Sequence, residues 1–221
     1  MRPVIAIDGP AGAGKSSASR ALARRLGFQY VDTGAMYRAV GVIAAEQGVS
    51  FEDDQALATL VDGLTFEGTP GGDGLTVNGR DLSATIRRPD AGELASRVST
   101  RPVVRERLVA LQRRLGAAGG VVMEGRDIGT VVFPDAPVKL YLTADPKERA
   151  RRRALELRAR GETVDEAALA AEIAARDRRD QSRPTAPLRP ADDAVVVDTT
   201  TLTLDEVVEH LAGVVRSRTA T

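Results

Sequence analysis

The chain opens with an apolar run, a glycine-rich turn and an amphipathic segment, and this order limits its fold more than any other feature. Residues 3–8 read PVIAID, a run rich in β-branched residues that predicts a buried parallel strand. Residues 9–17 read GPAGAGKSS, and helical spacing of apolar residues follows from Lys15 to about Leu26. A strand that enters a helix through such a turn is typical of an α/β chain that holds a phosphate group.

The rest of the chain repeats this alternation of strand and helix. Four more apolar runs predict strands, at residues 28–32, 119–125, 136–144 and 193–199. Segments with helical spacing separate these runs, apart from one stretch described next. We therefore predict a five-stranded parallel sheet flanked by helices, with ligands at the carboxyl ends of its strands.

Residues 64–87 differ from the alternation around them. Short runs of alternating polar and apolar residues occur here, separated by TPGGDG and by Asn78-Gly79. Asn-Gly favours a type I′ hairpin turn because both residues tolerate positive φ. We predict a small antiparallel sheet inserted into the α/β chain.

Polar residues mark where several helices begin. Asp32 and Thr33 predict an N-cap for the helix that follows the second strand, and Asp145-Pro146 predicts the start of a strongly basic helix. Thr163 and Glu166 have the spacing of a capping box for the next helix. Helical spacing also runs from Asp90 to about Gly116, with a break near Arg101-Pro102.

Composition limits the kinds of partner. The chain has 31 basic and 31 acidic residues and no cysteine, so no general basic surface for a nucleic acid polymer is expected and thiolate chemistry is excluded. No apolar run reaches membrane-spanning length, and a strand from Pro3 leaves no room for a signal peptide. We expect a cytoplasmic protein without membrane contact, and a monomer because no long exposed apolar stripe occurs.

The turn after the first strand matches the P-loop pattern in full, with Gly9, Gly14, Lys15 and Ser16 at the fixed positions. Lys15 is expected to face the β- and γ-phosphates of a nucleotide, and the Ser16 hydroxyl to bind Mg²⁺. The Asn-Lys-x-Asp motif of guanine-binding proteins does not occur. The predicted ATP-binding residues of this loop are Gly9, Pro10, Ala11, Gly12, Ala13, Gly14, Lys15, Ser16 and Ser17.

Arginines accumulate near the expected ligand crevice. They are Arg38, Arg105, Arg126, Arg176 and Arg183. This is more positive charge than one ATP requires, and a phosphorylated acceptor fits the surplus.

Three longer motifs are more specific than the P-loop. They are DTGAMYR at residues 32–38, EGRDIGTVVFPDAP at residues 124–137 and RDRRDQSR at residues 176–183. With AIDGPAGAGKS near the start and VVVDTTTLTLDEVVE near the end, they give the sequence a resemblance to the bacterial cytidylate kinases over nearly its whole length. These enzymes phosphorylate CMP and dCMP with ATP.

The resemblance implies a P-loop NTPase-type core, a small inserted antiparallel β acceptor domain and a helical lid. The core would comprise residues 1–32, 90–147 and 184–221. Residues 33–89, with the inserted sheet at 64–87, would bind the nucleoside monophosphate. Residues 148–183 would form the basic helical lid.

The resemblance also implies roles for single residues. Lys15, Arg126 and Arg183 would be catalytic, and Arg152 would help to bind ATP. The residues implied for CMP are Thr33, Arg38, Ser96, Arg105, Arg126, Asp127, Arg176 and Asp180. Within this set, Ser96, Asp127 and Arg176 would read the cytosine ring and Asp180 the sugar. Magnesium would be held by Ser16, and by Glu124 through a water molecule.

Several alternatives stay open from the sequence. Thr33 and Glu124 stand where serine and aspartate occur in some relatives. Arg176 and Asp180, four residues apart on one helix, also fit a surface ion pair, and Asp127 fits a structural turn. At the level of function, the rivals are a P-loop kinase for another small acceptor, such as UMP or AMP, and a non-catalytic ATP-binding regulator.

Overall fold

The computed structural model describes residues 2–68, 74–183 and 185–219. Within these residues the strands are β1 (Val4–Asp8), β2 (Gln29–Asp32), β3 (Phe66–Gly68), β4 (Leu75–Val77), β5 (Arg80–Asp81), β6 (Val121–Glu124), β7 (Val138–Thr143) and β8 (Val195–Asp198). The α-helices in the same ranges are α1 (Lys15–Leu26), α2 (Thr33–Glu46), α3 (Asp54–Asp62), α4 (Ala91–Val98), α5 (Pro102–Gly116), α6 (Pro146–Arg158), α7 (Glu166–Gln181) and α8 (Leu204–Thr219). A 3₁₀ turn at Thr85–Arg87 and a π-helical turn at Ile128–Val132 complete these elements.

The contacts divide the chain into two compact units. The first comprises Met1–Tyr30 and Gly119–Thr221, and the second comprises Val31–Ala118. Residues 90–118, which the sequence analysis grouped with the core, therefore lie in the second unit together with residues 31–89.

The predicted five-stranded parallel sheet has the strand order β2-β6-β1-β7-β8. Its strands lie in the first unit, except that Val31 and Asp32 at the end of β2 are counted with the second. In the centre of the sheet, Ile7 pairs with Glu124 of β6 and Asp8 pairs with Tyr141 of β7. The strands of this sheet consist mainly of Val, Ile and Leu because helices cover them, and the prediction from continuous apolar runs is confirmed. The sheet order places β1, and the glycine loop after it, between two neighbours at the carboxyl edge.

Two hydrophobic clusters stabilise the first unit. The larger one joins the sheet to α1 and α8 through Ile5, Leu22, Leu140 and Leu211, all of which are buried. The smaller one lies between α6 and α7, where Ala154 packs with neighbours that include Ile173. The pair of helices implied as a lid thus has a core of its own.

The second unit combines helices α2 to α5 with an antiparallel sheet of the order β3-β4-β5. Asn78 and Gly79 have φ values of 49° and 76° in the turn from β4 to β5, as the type I′ pattern predicts. The Asn78 side chain also donates to the carbonyl of Gly63 and accepts from the Thr65 amide. The predicted inserted sheet is confirmed in the described part of residues 64–87, and residues 69–73 lie outside the described residues.

One predicted helix start is wrong. Helix α7 is capped by Asp165, whose carboxylate accepts from the amides of Ala167 and Ala168, and not by a capping box from Thr163 to Glu166. Asp165 directly precedes the helix, so its carboxylate lies closer to the first free amides than the Thr163 hydroxyl and caps them instead. The N-cap of α2 at Asp32 and that of α6 at Asp145 are confirmed.

Within the residues that the structure describes, no helix is both long enough and apolar enough to cross a bilayer.

Candidate functional site

The glycine loop lies between β1 and α1, and Lys15 is the first residue of the helix. The Lys15 side chain is 7% exposed, and its Nζ donates to the carbonyl of Pro10 at 2.8 Å. Ser16 and Ser17 are exposed on the first turn of α1, where the helix leaves its first amides without intrahelical acceptors. Lysine, hydroxyls and amides are thus gathered at a helix N-terminus, which favours the binding of a phosphate group.

The pKa of Lys15 lies well below that of a free lysine. Burial, and next the charge of Arg126, lower the pKa of Lys15 to about 7, against smaller opposing effects of Glu124 and Asp8. Negative charge brought to this position restores the protonated form. A bound anion is therefore expected to raise the pKa of Lys15 and to favour its protonated form.

Arg126 and Arg183 share one carboxylate. Arg126 Nε donates to Asp180 Oδ2 at 3.1 Å, and Arg183 Nη2 pairs with Asp180 Oδ1. Arg126 also donates through Nη1 to the carbonyl of Gly9 at 3.0 Å, which connects this cluster to the glycine loop. The structure thus brings together the two arginines that the resemblance implies for catalysis.

Asp180 is the centre of this cluster and is 1% exposed. Burial alone would raise the pKa of Asp180, but the charges of Arg126, Arg183 and Arg176 outweigh it and hold that pKa below its usual range. The positive charge of Arg176 also lowers the pKa of Lys15. The reading of Arg176 and Asp180 as an ordinary surface pair is therefore wrong for Asp180, which is buried beneath several arginines.

Asp127 lies directly before the π-helical turn and is buried. Both oxygens of Asp8 hold this turn, accepting from the amides of Ile128 and Gly129 at 2.8 Å each. Burial raises the pKa of Asp8 to about 7, against the lowering effect of these two amides. The last residue of β1 thus fixes the segment that carries Arg126 and Asp127.

Glu124 and Ser16 are the predicted magnesium ligands. Glu124 ends β6 in a buried position, and the hydroxyl of Tyr30 donates to its Oε1. A carboxylate and a hydroxyl are oxygen donors that suit Mg²⁺, which takes its remaining ligands from phosphates and water. Among the described residues, no group of three or more His, Cys, Asp or Glu side chains is arranged to hold a metal ion.

Arg152 contacts the segment after β8. Its guanidinium donates to the Thr199 hydroxyl at 2.9 Å and to the carbonyl oxygens of Thr199 and Thr200. The Thr199 hydroxyl in turn lies 3.1 Å from the carbonyl of Ala13 in the glycine loop. Arg152 is therefore connected to the phosphate loop through Thr199, which the sequence analysis did not single out.

Four of the residues implied for CMP binding belong to the second unit. Thr33 is buried in the first turn of α2, and Arg38 pairs with the capping carboxylate of Asp32 at 2.9 Å. Ser96 on α4 is buried, and its carbonyl accepts from the Ser99 hydroxyl. Arg105 on α5 is also buried.

Sequence reasoning missed a buried ion pair in the first unit. Arg149 of α6 and Asp177 of α7 are joined at 2.5 Å, and Arg149 also reaches the glycine loop. Five arginines lie within α6 alone, so the sequence holds no signal that separates Arg149 from its more exposed neighbours. Asp8 could have been found, because an acidic residue that ends a buried strand at the ligand edge is conspicuous.

Comparison with solved structures supports the fold alone. An uncharacterized protein from Eubacterium ventriosum matches with a TM-score of 0.52 and 13% identity, covering 98% of this chain and 99% of the other. A gluconokinase from Sinorhizobium meliloti matches with a TM-score of 0.50 and 17% identity, covering 99% and 95%.

Comparison with known sequences gives closer matches. A cytidylate kinase of a Geobacter species is 50% identical over 219 residues, which cover 98% of this chain and 94% of that protein. The cytidylate kinase of Geobacter sulfurreducens is 48% identical, covering 97% and 93%. A bifunctional pantoate ligase/cytidylate kinase of Synechococcus elongatus is 49% identical, covering 98% of this chain and 42% of that protein. The family model described as cytidylate kinase matches residues 5–217, and the chain belongs to the cytidylate kinase family.

Proposed function

We propose that this protein transfers the γ-phosphoryl group of ATP to CMP and dCMP, forming ADP and CDP or dCDP. The observation that carries the proposal is the cluster in which Arg126 donates both to Gly9 of the phosphate loop and to Asp180, which also binds Arg183. Arg176 adds its charge at the same carboxylate. Three arginines beside the loop lysine are more positive charge than a triphosphate alone calls for, and a donor phosphate together with an acceptor phosphate fits this surplus.

The reaction needs alignment and positive charge more than it needs covalent help from the protein. An oxygen of the CMP phosphate attacks the γ-phosphorus while the bond to the bridging oxygen breaks and ADP leaves. The acceptor oxygen is already ionised, so no strong general base is required. Lys15, Arg126 and Arg183 would stabilise the charge that spreads over the transferred group, and Arg126 and Arg183 are held for this by Asp180.

Magnesium is part of the proposal. When bound, it would neutralise phosphate charge beside Ser16, with Glu124 holding one of its water molecules. Tyr30 keeps the Glu124 carboxylate oriented by donating to Oε1.

Cytosine recognition is assigned to Asp127, Arg176 and Ser96. A carboxylate accepts from the N4 amino group of cytosine, whereas uracil presents an acceptor there. The carboxylate of Asp127 is placed by the turn that Asp8 fixes. Leaving a buried polar group unpaired costs about 1–3 kcal/mol, so CMP should be preferred over UMP by about tenfold or more.

The remaining assignments rest on the resemblance. Thr33, Arg38 and Arg105 are proposed as further CMP contacts, and Arg152 as an ATP contact. The proposed regions are the core at residues 1–32, 90–147 and 184–221, the acceptor region at 33–89 and the lid at 148–183. These regions are defined by role and differ from the two compact units, in which residues 90–118 belong with residues 31–89. Action as a monomer belongs to the same proposal.

An acceptor panel tests the proposal. ADP release from Mg·ATP is measured with CMP, dCMP, UMP, AMP and GMP and without an acceptor. We expect fast release with CMP and dCMP, little with UMP and almost none without acceptor. Preference for another acceptor would indicate a different small-molecule kinase, and release that ignores the acceptor would indicate an ATPase or a regulator.

The variant Asp127→Ala tests the cytosine assignment in the same assay. We expect the preference for CMP over UMP to fall by about tenfold, with a smaller change in the KM for ATP. An unchanged ratio would remove Asp127 from base recognition.

A further inference from the structure

A buried ion pair connects three segments of the first unit. Arg149 Nη1 donates to Asp177 Oδ2 at 2.5 Å and to the carbonyl of Ala11 in the glycine loop at 3.0 Å. Arg149 Nε donates to the carbonyl of Ala144, just after β7, at 3.1 Å. The guanidinium thus bonds the phosphate loop, the end of a central strand and helix α7 at the same time.

The pair is buried, and the Asp177 carboxylate depends on Arg149. The side chains of Arg149 and Asp177 are 7% and 11% exposed. In the described part of the chain, the other carboxylate oxygen, Oδ1, has no hydrogen-bond partner. A buried charge that loses its one partner is strongly destabilised, so α7 cannot move away from Arg149 without cost.

The backbone of Arg149 is equally close to the loop. A Cβ on Gly12 would lie 2.9 Å from the carbonyl oxygen of Arg149, so glycine is needed for this approach. Both the side chain and the backbone of Arg149 therefore constrain residues 11 and 12, which are expected to surround the phosphates of ATP.

Helix α7 carries the acceptor side of the proposed reaction. Asp177 follows Arg176 directly, and Asp180 and Arg183 lie one turn and more further on, with Asp180 holding Arg126. A shift of α7 at Asp177 is transmitted to Arg176 and Asp180 because the helix is continuous from Glu166 to Gln181. Arg183 follows the end of the helix and is connected to it through its ion pair with Asp180.

We propose that Arg149 and Asp177 are positioning residues that couple the phosphate loop to helix α7, so that binding of the triphosphate favours binding of the acceptor. The inference rests on the proposed function, because it takes ATP and CMP as the two ligands. Neither residue touches substrate in this account. Their effect passes through Ala11 on one side and through Arg176 and Asp180 on the other.

The test compares Asp177→Asn with Glu166→Gln. Glu166 forms another ion pair between α6 and α7, with Arg158 at 2.7 Å, but both side chains are about half exposed. The dissociation constant of CMP is measured by calorimetry alone and with a saturating, non-hydrolysable ATP analogue. We expect the analogue to tighten CMP binding about fivefold or more in the wild type and in Glu166→Gln, and less than about twofold in Asp177→Asn.

The ratio of the two CMP constants separates coupling from a merely structural role. A structural defect lowers both affinities and leaves their ratio unchanged, and that result in Asp177→Asn would overturn the inference. A wild type without any coupling would overturn it as well. Failure of the proposed function is a different result, namely that the wild type forms no CDP from ATP and CMP, and the inference would fall with it.

If Asp177→Asn does not fold, the same CMP binding measurement is made on the double variant Arg149→Met with Asp177→Leu. It replaces the pair by apolar side chains of similar size, which buried pairs often tolerate, and it removes the hydrogen bond to Ala11. Loss of the coupling ratio in this variant supports the inference, and retention of the wild-type ratio contradicts it.

Discussion

At the scale of single residues, buried carboxylates determine how the basic side chains of the site are held. Asp180 fixes Arg126 and Arg183, Asp177 fixes Arg149, and Asp8 fixes the turn that follows Asp127. None of these acidic side chains needs to react. They keep cations and hydrogen-bond donors in place before substrate arrives, which reduces the reorganisation needed for phosphoryl transfer.

Lys15 gives a prediction that does not depend on turnover. Its pKa is lowered to about 7 by burial and by Arg126, so at about pH 8 most of this lysine is unprotonated in the free protein. A bound triphosphate raises the pKa, and binding then takes up close to one proton at about pH 8 and less at about pH 6. Calorimetry of an ATP analogue in two buffers with different ionisation enthalpies measures the uptake.

The control for this experiment is Lys15→Met, in which we expect the proton uptake at about pH 8 to fall by at least half. The rest comes from Asp8, whose pKa is raised to about 7 and which also responds to an incoming anion. Equal binding heats in both buffers for the wild type would contradict the charge state derived for Lys15.

The residues of the site could be predicted from sequence to different degrees. Lys15, Ser16 and the glycines follow from one contiguous motif, because their chemistry depends on neighbours along the chain. Arg149, Thr199 and Tyr30 could not be predicted, because their roles depend on contacts with Ala11, Ala13 and Glu124. Contacts of this kind link distant segments and leave no spacing pattern.

At the scale of secondary structure, local signals predicted the elements well and the details of helix starts less well. Strands with continuous apolar runs and the Asn78-Gly79 turn are confirmed. The start of α7 was misassigned, since two capping patterns overlap at Thr163 and Asp165 and only geometry distinguishes them. The sequence did not predict the π-helical turn at Ile128–Val132, because the hydrogen bonds that hold it come from Asp8, at the end of the distant strand β1.

Helix α7 offers a direct test of its cap. Asp165→Ala removes the acceptor for two amides, at 2.9 and 3.1 Å, and should lower the free energy of unfolding by about 1 kcal/mol. Thr163→Ala, the matched control, should change it by less than about 0.5 kcal/mol. Urea unfolding measures both, and a larger loss in Thr163→Ala would restore the capping box.

At the scale of the whole molecule, alternation of strands and helices predicted a parallel sheet but not its order. The order β2-β6-β1-β7-β8 depends on pairing between distant segments. Strand β6 follows β1 by more than a hundred residues in the sequence, and the two strands pair directly. Local patterns likewise did not predict the extent of the second unit, Val31–Ala118, because the sequences of α4 and α5 resemble those of the helices in the first unit. Membership in the cytidylate kinase family, by contrast, was predictable from motifs spread over nearly the full chain.

The central claim is that the γ-phosphoryl group passes directly to the phosphate of CMP. Its most direct test follows the label from ATP carrying a radioactive γ-phosphate, incubated with CMP, Mg²⁺ and the protein, with Lys15→Met in parallel. We expect the label to appear in CDP, at a rate lowered by about a hundredfold or more in Lys15→Met. Label that appears only in inorganic phosphate, or transfer to CMP that Lys15→Met leaves unchanged, would contradict it.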